Sequence, residues 1–303
     1  MRIKRIWSDY EINFLKENYE NKGIIYCSDI LNISKSKIKF RARKLGLKMS
    51  RASRGFKTHI NLQQFINISN PKVAYLLGYL WADGYITKGK VILCLAKPDA
   101  DSLKPLLNNL GTWYYADSKI KRATHLMTQS CMFDKDFTNF LLNLNFKEKS
   151  LVSPKDLLRL IPKYLQHYFW RGYLDGDGCF TYSPGQIKKS KFFIQFAGSF
   201  NQDWTFLKNF CEFNQMKYSI SKQSYINKKS LKLNSCSKFN INNKQNMYNF
   251  LKYVYNGNLE TIGLKRKINK WLFLKKHIET TLNIGHFKKI NLEEDIRPFH
   301  VAS

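Results

Sequence analysis

An apolar segment closing on Asp-Gly occurs twice in the chain, as Leu76-Leu-Gly-Tyr-Leu-Trp-Ala-Asp-Gly-Tyr85 and as Trp170-Arg-Gly-Tyr-Leu-Asp-Gly-Asp-Gly-Cys-Phe180. Laying Asp83 on Asp177 also lays Gly78 on Gly172, Tyr79 on Tyr173, Leu80 on Leu174 and Gly84 on Gly178, at a separation of 94 residues. That period is too long for a solenoid and suits two compact α/β units. Each copy reads as a helix ended by glycine, which takes the left-handed conformation without steric cost. Small residues at i and i+4, Gly78 with Ala82 and Gly172 with Gly176, leave one stripe of each helix almost bare. The copies are therefore expected to pack on each other with matched polarity, which brings Asp83 and Asp177 to one end of a central seam.

Two carboxylates in that position are unfavourable. Each faces the negative end of its helix dipole, at about 0.3–1 kcal/mol, and the two repel each other. A cation relieves both effects, and carboxylates with freed helix-end carbonyls form the hard oxygen set that Mg²⁺ prefers.

These residues resemble the LAGLIDADG homing endonuclease family, the second copy closely and the first with Trp81 where an acid is common. The resemblance implies two pseudo-symmetric αββαββα units joined through their motif helices, an α+β fold whose sheets lie in DNA grooves. It implies metal bound by Asp83 and Asp177 with the carbonyls of Ala82 and Gly176, two or three Mg²⁺ ions in all, and cleavage that leaves short 3′ overhangs. It also implies a lysine from each half near the scissile phosphates. Lys149 is the candidate in the first half and Lys265 in the second, with Lys267 as its rival. Ala96, and Ala197 or Gly198, stand where the family carries further polar groups. Asp175 is given little weight, because Trp81 fills its place in the other copy.

With 51 Lys and Arg against 22 Asp and Glu, the chain carries +29, which points to a polyanionic partner. No run of about 18 apolar residues is present, and the first residues lack a signal peptide's apolar core, so the protein is expected to be intracellular, with no membrane partner. Six scattered cysteines without a C-x-x-C pair read as reduced thiols.

Residues 1–50 read as a separate all-α, tri-helical module. A capping box at Ser8 to Glu11 precedes Ile12, Leu15 and Tyr19, a second helix spans Ile24 to Leu31, and a third runs from Ser34 to Gly46. The third carries Lys35, Lys37, Lys39, Arg41, Arg43 and Lys44 opposite Ile38, Ala42 and Leu45, as a recognition helix would. The module resembles small helix-turn-helix-like domains attached to some homing endonucleases. Residues 51–70 read as a basic linker, 71–160 as the first half, 161–284 as the second and 285–303 as a tail.

Strand alternation places Tyr85 and Thr87 outward around Ile86, and Thr181 and Ser183 outward around Phe180 and Tyr182. Lys191, Phe193 and Gln195 share the outward face of the next strand, where glutamine suits adenine and lysine suits guanine or phosphate. Lys90 is the parallel candidate in the first half, and Lys188, Lys189, Lys222, Lys228 and Lys232 extend the basic surface. The expected activity is a Mg²⁺-dependent double-strand break in a long, asymmetric duplex DNA target by a monomer. The alternatives are an RNA-splicing maturase on the same scaffold, acting on intron RNA, and a DNA-binding regulator that does not cleave. The carboxyl end, His-Val-Ala-Ser, lacks the His-Asn junction of an intein.

Overall fold

Ser8 opens the first helix as the capping box predicts. Its hydroxyl accepts from the Glu11 N–H at 3.2 Å while the Glu11 carboxylate accepts from the Ser8 N–H at 3.0 Å. The computed structural model describes residues 5–49, 58–87, 89–119, 126–183, 191–226 and 233–282, in two units, Met1–Thr58 and His59–Ser303. The first unit holds α1 (Asp9–Leu31) and α2 (Lys35–Lys44). The two helices expected before residue 32 run on as α1, kinked at Gly23, whose φ of 80° is open to glycine. Leu15, Tyr19, Cys27, Ile33, Ile38 and Ala42 form its core. Lys35, Lys37, Lys39, Arg43 and Lys44 are exposed, whereas Arg41 is half-buried with its guanidinium 5.8 Å from the Trp7 ring centre.

The second unit begins inside the expected linker. β1 (His59–Ile60) and α3 (Gln63–Ile66) precede α4 (Pro71–Asp83), β2 (Tyr85–Thr87), β3 (Lys90–Ala96), α5 (Lys97–Leu110), β4 (Gly111–Thr112), β5 (Tyr114–Lys119), β6 (Leu126–Met132) and α6 (Lys135–Asn143). α7 (Lys155–Leu160) leads to α8 (Gln166–Asp177), β7 (Gly178–Ser183), β8 (Lys191–Ser199), α9 (Thr205–Phe213), β9 (Tyr218–Ile226), β10 (Leu233–Asn242), α10 (Lys244–Val254) and α11 (Lys265–Leu282). Two antiparallel four-stranded sheets result, ordered β2-β3-β6-β5 and β7-β8-β10-β9, so the chain is α+β with the repeated order read from the sequence. Residues 59–70 are not a linker: β1 pairs with β4, and Phe65 is fully buried with its ring 4.8 Å from that of Phe137. Ile60, Phe65 and Ile68 are buried there, at roughly 1.5–3 kcal/mol per side chain, which offsets part of the cost of ordering the stretch. No helix among the described residues is long and apolar enough to cross a membrane.

α4 and α8 cross at backbone contact. A Cβ built on Gly78 would collide with the Phe169 carbonyl, and one on Gly172 with the Tyr75 carbonyl. The outer sides of the pair are packed by aromatics: Trp81 meets Phe146 edge-on at 5.0 Å, and Trp170 stacks on Phe206 at 5.8 Å. The glycines after the helices depart from expectation. Gly84 and Gly178 are extended, at φ −71° and −89°, because the chain passes directly into a strand. Their lack of a side chain matters for space instead, since a Cβ would stand 2.6 Å from the Leu80 carbonyl oxygen and 2.7 Å from that of Leu174.

Candidate active site

Both seam helices end on their aspartate; the carbonyls of Leu80 and Leu174 accept the capping N–H groups of Gly84 and Gly178, and the carbonyls after them are left without helical partners. A lysine takes them in each half. The Lys149 ammonium donates to the carbonyls of Leu80 at 3.3 Å, Ala82 at 2.5 Å and Gly84 at 2.6 Å. The Lys267 ammonium donates to those of Leu174 at 2.6 Å, Asp175 at 2.7 Å and Gly178 at 2.6 Å. Leu80 and Leu174 are equivalent under the repeat, as are Gly84 and Gly178, so the two lysines cap the two helices in nearly the same way. The seam is thin here: Asp83 Oδ2 lies 3.3 Å from the place a Cβ on Gly176 would occupy, so the bare stripe admits the other half's carboxylate.

Burial dominates the electrostatics. It pushes the Asp177 carboxyl up to about 7, the Asp83 charge adding to the rise while Lys149 and Lys267 oppose it. Asp83 moves in the same direction for the same first reason; its own surface faces solvent although protein surrounds it, and Lys149 and Lys267 offset the rise. Burial brings the Lys149 ammonium down to about 8 against the pull of Asp177 and Asp83, and the Lys267 ammonium to about 8 against that of Asp175. Between about pH 4 and 7 the folded chain holds a proton on Asp177 that the unfolded chain has released, so this group lowers stability as pH rises through that window. The metal-free Asp177→Asn variant is therefore expected to be more thermostable than the native chain at pH 7, by on the order of 1 kcal/mol or about 2–4 °C, with the gain vanishing near pH 4. Parallel melting curves at the two pH values check this, and a gain independent of pH would contradict it.

The donor set fits a hard divalent cation. The helix-end carbonyls already point at ammonium groups, and the Asp177 carboxyl is raised by burial first and by the neighbouring Asp83 carboxylate second, both of which a bound cation would oppose. No group of three or more His, Cys, Asp and Glu side chains comes together among the described residues. Water and phosphate oxygens would thus complete such a site, as is usual for Mg²⁺.

No protein-family profile and no curated protein matches the chain. Solved structures similar to it include LAGLIDADG homing endonucleases. They include I-SmaMI bound to cleaved DNA, 13% identical over 75% of this chain and 94% of that one with a TM-score of 0.42. I-GzeII in complex with its DNA target is 11% identical over 75% and 95%, at 0.39. The N-terminal LAGLIDADG domain of DUF199/WhiA is 13% identical over 64% and 90%, at 0.39. At such TM-scores they say what the chain is similar to and nothing of what it does.

Around the two LAGLIDADG-like helices the structure moves one expected residue and promotes another. Lys265 is exposed at the start of α11, its backbone N–H held by Ser102 Oγ at 3.2 Å, so it is Lys267 that reaches the helix end. Ile268, Trp271, Leu274 and Ile278 form the buried stripe of α11, continued by Leu264 just before it, and helical geometry puts 267 beside that stripe and 265 away from it. That stripe was the signal for choosing between them. Arg266 fixes the same turn through a fork of 2.7 and 2.8 Å to Asp99 of the first half. Asp175, given little weight from its sequence context, is fully buried and accepts from the Tyr75 hydroxyl at 2.9 Å, the Tyr255 hydroxyl at 2.8 Å and the Leu264 N–H at 2.8 Å. Of the two carbonyls assigned to metal, that of Ala82 is capped by Lys149, while Lys267 takes the carbonyl of Asp175, one residue before Gly176. Ala82, Lys149, Tyr173, Asp177, Gly198 and Gln202 share a cleft at the seam. Gly198 leaves room there for Gln202, whose amide donates to the Lys149 carbonyl at 3.1 Å; the sequence had shown this position only as small.

The outer sheet faces carry the expected strand residues. Tyr85 is exposed, Thr87 and Lys90 are half-buried, and the Lys90 ammonium lies 5.4 Å from the Phe133 ring centre. Thr181 is half-buried beside buried Phe180; Lys222 is exposed, but the register pairs it with buried Ser237 on the side of Phe239, away from the outward row, with its ammonium 4.8 Å from the Phe200 ring centre. Gln195 is half-buried and donates to Asn240 Oδ1 at 2.8 Å. Ser183 and Lys191 lie on strands, but their side chains are outside the described residues, as are Lys188, Lys189, Lys228, Lys232 and the tail. The register also puts Lys238 and Asn240 of β10 on the outer face, opposite Ser221 and Ser219 of β9. The alternation in β10 was readable, but its outward side had not been singled out.

Proposed function

We propose that the chain is a site-specific DNA endonuclease that makes a Mg²⁺-dependent break in both strands of a long asymmetric duplex target, acting as a monomer inside the cell and leaving short 3′ overhangs. The observation that carries this reading is the pairing of Asp83 and Asp177 across a seam of bare helix stripes, each with a lysine over the adjoining helix end, Lys149 half-buried and Lys267 buried. Asp83 and Asp177, with helix-end carbonyls including that of Ala82, would hold the cation, which when bound supplies charge for the scissile phosphate and a more acidic water. The protein's own part is positional: the seam fixes the two carboxylates, and Lys149 and Lys267 place positive charge where negative charge develops. The +29 charge and the lysine-bearing α2 supply nonspecific attraction to the backbone, and the sheets supply the reading surface.

Incubation with Mg²⁺ and the uninterrupted allele of the host locus, beside Asp83→Asn and Asp177→Asn, tests the proposal. Absence of cleavage at every candidate target by the native chain defeats it, and splicing of an intron RNA that depends on the protein would point to the maturase instead. Lys267→Met is expected to slow cleavage at least about 30-fold, near 2 kcal/mol, while Lys265→Met stays within about twofold. Single-turnover rates decide between them. Lys39→Gln with Arg43→Gln is expected to weaken binding without changing the cleavage rate of bound DNA, and to reduce the slope of log affinity on log salt by about 2. An unchanged slope would remove α2 from the interface.

A further inference from the structure

The two sheets share one topology and turn different chemistry outward. On the first, the register aligns Cys94 of β3 with Gln129 of β6 and then Ala116 of β5, and the next outward row runs Ala96, Met127, Ser118. The amide of Gln129 donates to the Tyr85 hydroxyl at 3.1 Å and Ser118 stands at the end of its row, while the side chains around them, Cys94, Ala96, Ala116 and Met127, are all at least partly exposed and none is a strong hydrogen-bonding group. In the second sheet the corresponding rows are Ala197, Lys238, Ser221 and Ser199, Cys236, Gln223, and the row nearer the motif helix, Gln195, Asn240, Ser219, answers Ile92, Cys131, Tyr114 of the first. The Gln195 to Asn240 bond uses one donor and one acceptor of the two amides, and each amide keeps further groups to offer.

Base edges in the major groove present hydrogen-bonding groups at every pair and a single apolar group, the thymine methyl. A thioether, a thiol and two methyl side chains can discriminate only through that methyl, whereas paired amides, hydroxyls and a lysine match purine N7 and the exocyclic groups. We propose that the halves read their half-sites by different means: the second sheet by hydrogen bonds to purine edges, and the first by apolar contact with thymine methyls, so that its half-site is rich in A·T pairs. The inference rests on the duplex-reading function proposed above.

The test uses the full chain in EDTA, so that binding is read without cleavage. Bound duplexes are selected from a random pool, and the selected site is remade with deoxyuridine for thymine, or 7-deazapurines for purines, in one half at a time. Removing methyls is expected to lower affinity about tenfold in one half-site and less than about threefold in the other, with the 7-deazapurine response reversed. Asn240→Ala identifies the second sheet's half-site by abolishing the 7-deazapurine response there while leaving the deoxyuridine response intact. Equal responses in the two halves, or no response to deoxyuridine, overturn the division of labour while leaving duplex recognition in place. A pool that yields no preferred sequence overturns the inference together with sequence-specific reading, which separates the two failures.

Discussion

Asp177→Asn is expected to lower the rate of DNA cleavage at least about 100-fold, a loss near 3 kcal/mol, while the metal-free protein becomes more stable at neutral pH. The two effects share one cause. Asp177 is held in a seam where burial and the Asp83 charge raise its carboxyl to about 7, so neutrality at that position relieves the fold. A residue kept at a cost to stability is characteristic of a functional position. Asparagine keeps the shape of the side chain and removes the charge that a cation needs. Asp83→Asn should lower cleavage similarly with a smaller gain in stability, because Asp83 faces solvent and Lys149 and Lys267 compensate its charge. Rates measured at saturating Mg²⁺, with melting curves on the same preparations, check both parts. An Asp177→Asn protein that cleaves normally would end the proposed role of the seam.

Much of this architecture was legible because the repeat supplied its own control. Gly78 and Gly172 recur at the same place in two segments whose other residues differ, and the structure shows both at backbone contact with the opposite helix. The capping box at Ser8 was legible because that motif is wholly local. What the sequence hid depends on contacts across long separations. The strand at His59 forms only against Gly111, and Phe65 finds its partner at Phe137, so a stretch rich in Asn and Gln read as a linker. Lys265 and Lys267 look equally basic in sequence, and only the direction of the buried α11 stripe distinguishes them. Comparing the copies misleads in one place: Trp81 stands opposite Asp175, which gives position 175 less weight than its acidity suggests. The two halves instead use it for different supports, Trp81 against Phe146 beside the loop that carries Lys149, and Asp175 against Tyr255 and Leu264 beside the loop that leads to Lys267.

That second support makes Arg171→Met the most damaging substitution expected outside the two aspartates. Arg171 is fully buried one turn before Asp175, and its guanidinium donates to the carbonyl of Val254, the last residue of α10, at 3.0 Å and to three carbonyls of the segment between α10 and α11: Asn258 at 2.6 Å, Ile262 at 2.9 Å, and Asn256. The Tyr168 and Tyr255 rings lie 4.7 and 5.7 Å from it. Methionine fills much of the volume and strands those carbonyls, which is expected to cost about 3–5 kcal/mol and roughly 10 °C of melting temperature. Arg171→Lys should fall between, since one ammonium cannot span carbonyls that a planar fork reaches together. The first half has Leu77 at the aligned position, and Lys149 is carried by a different loop. Loss of Arg171 should therefore displace Lys267 and spare Lys149, so that one strand is cut more slowly than the other and nicked duplex accumulates. Melting temperature and the ratio of nicked to linear product measure the two consequences separately. A variant that melts like the native chain would show that the segment holds itself, and equal slowing of both strands would show that its position does not set that of Lys267.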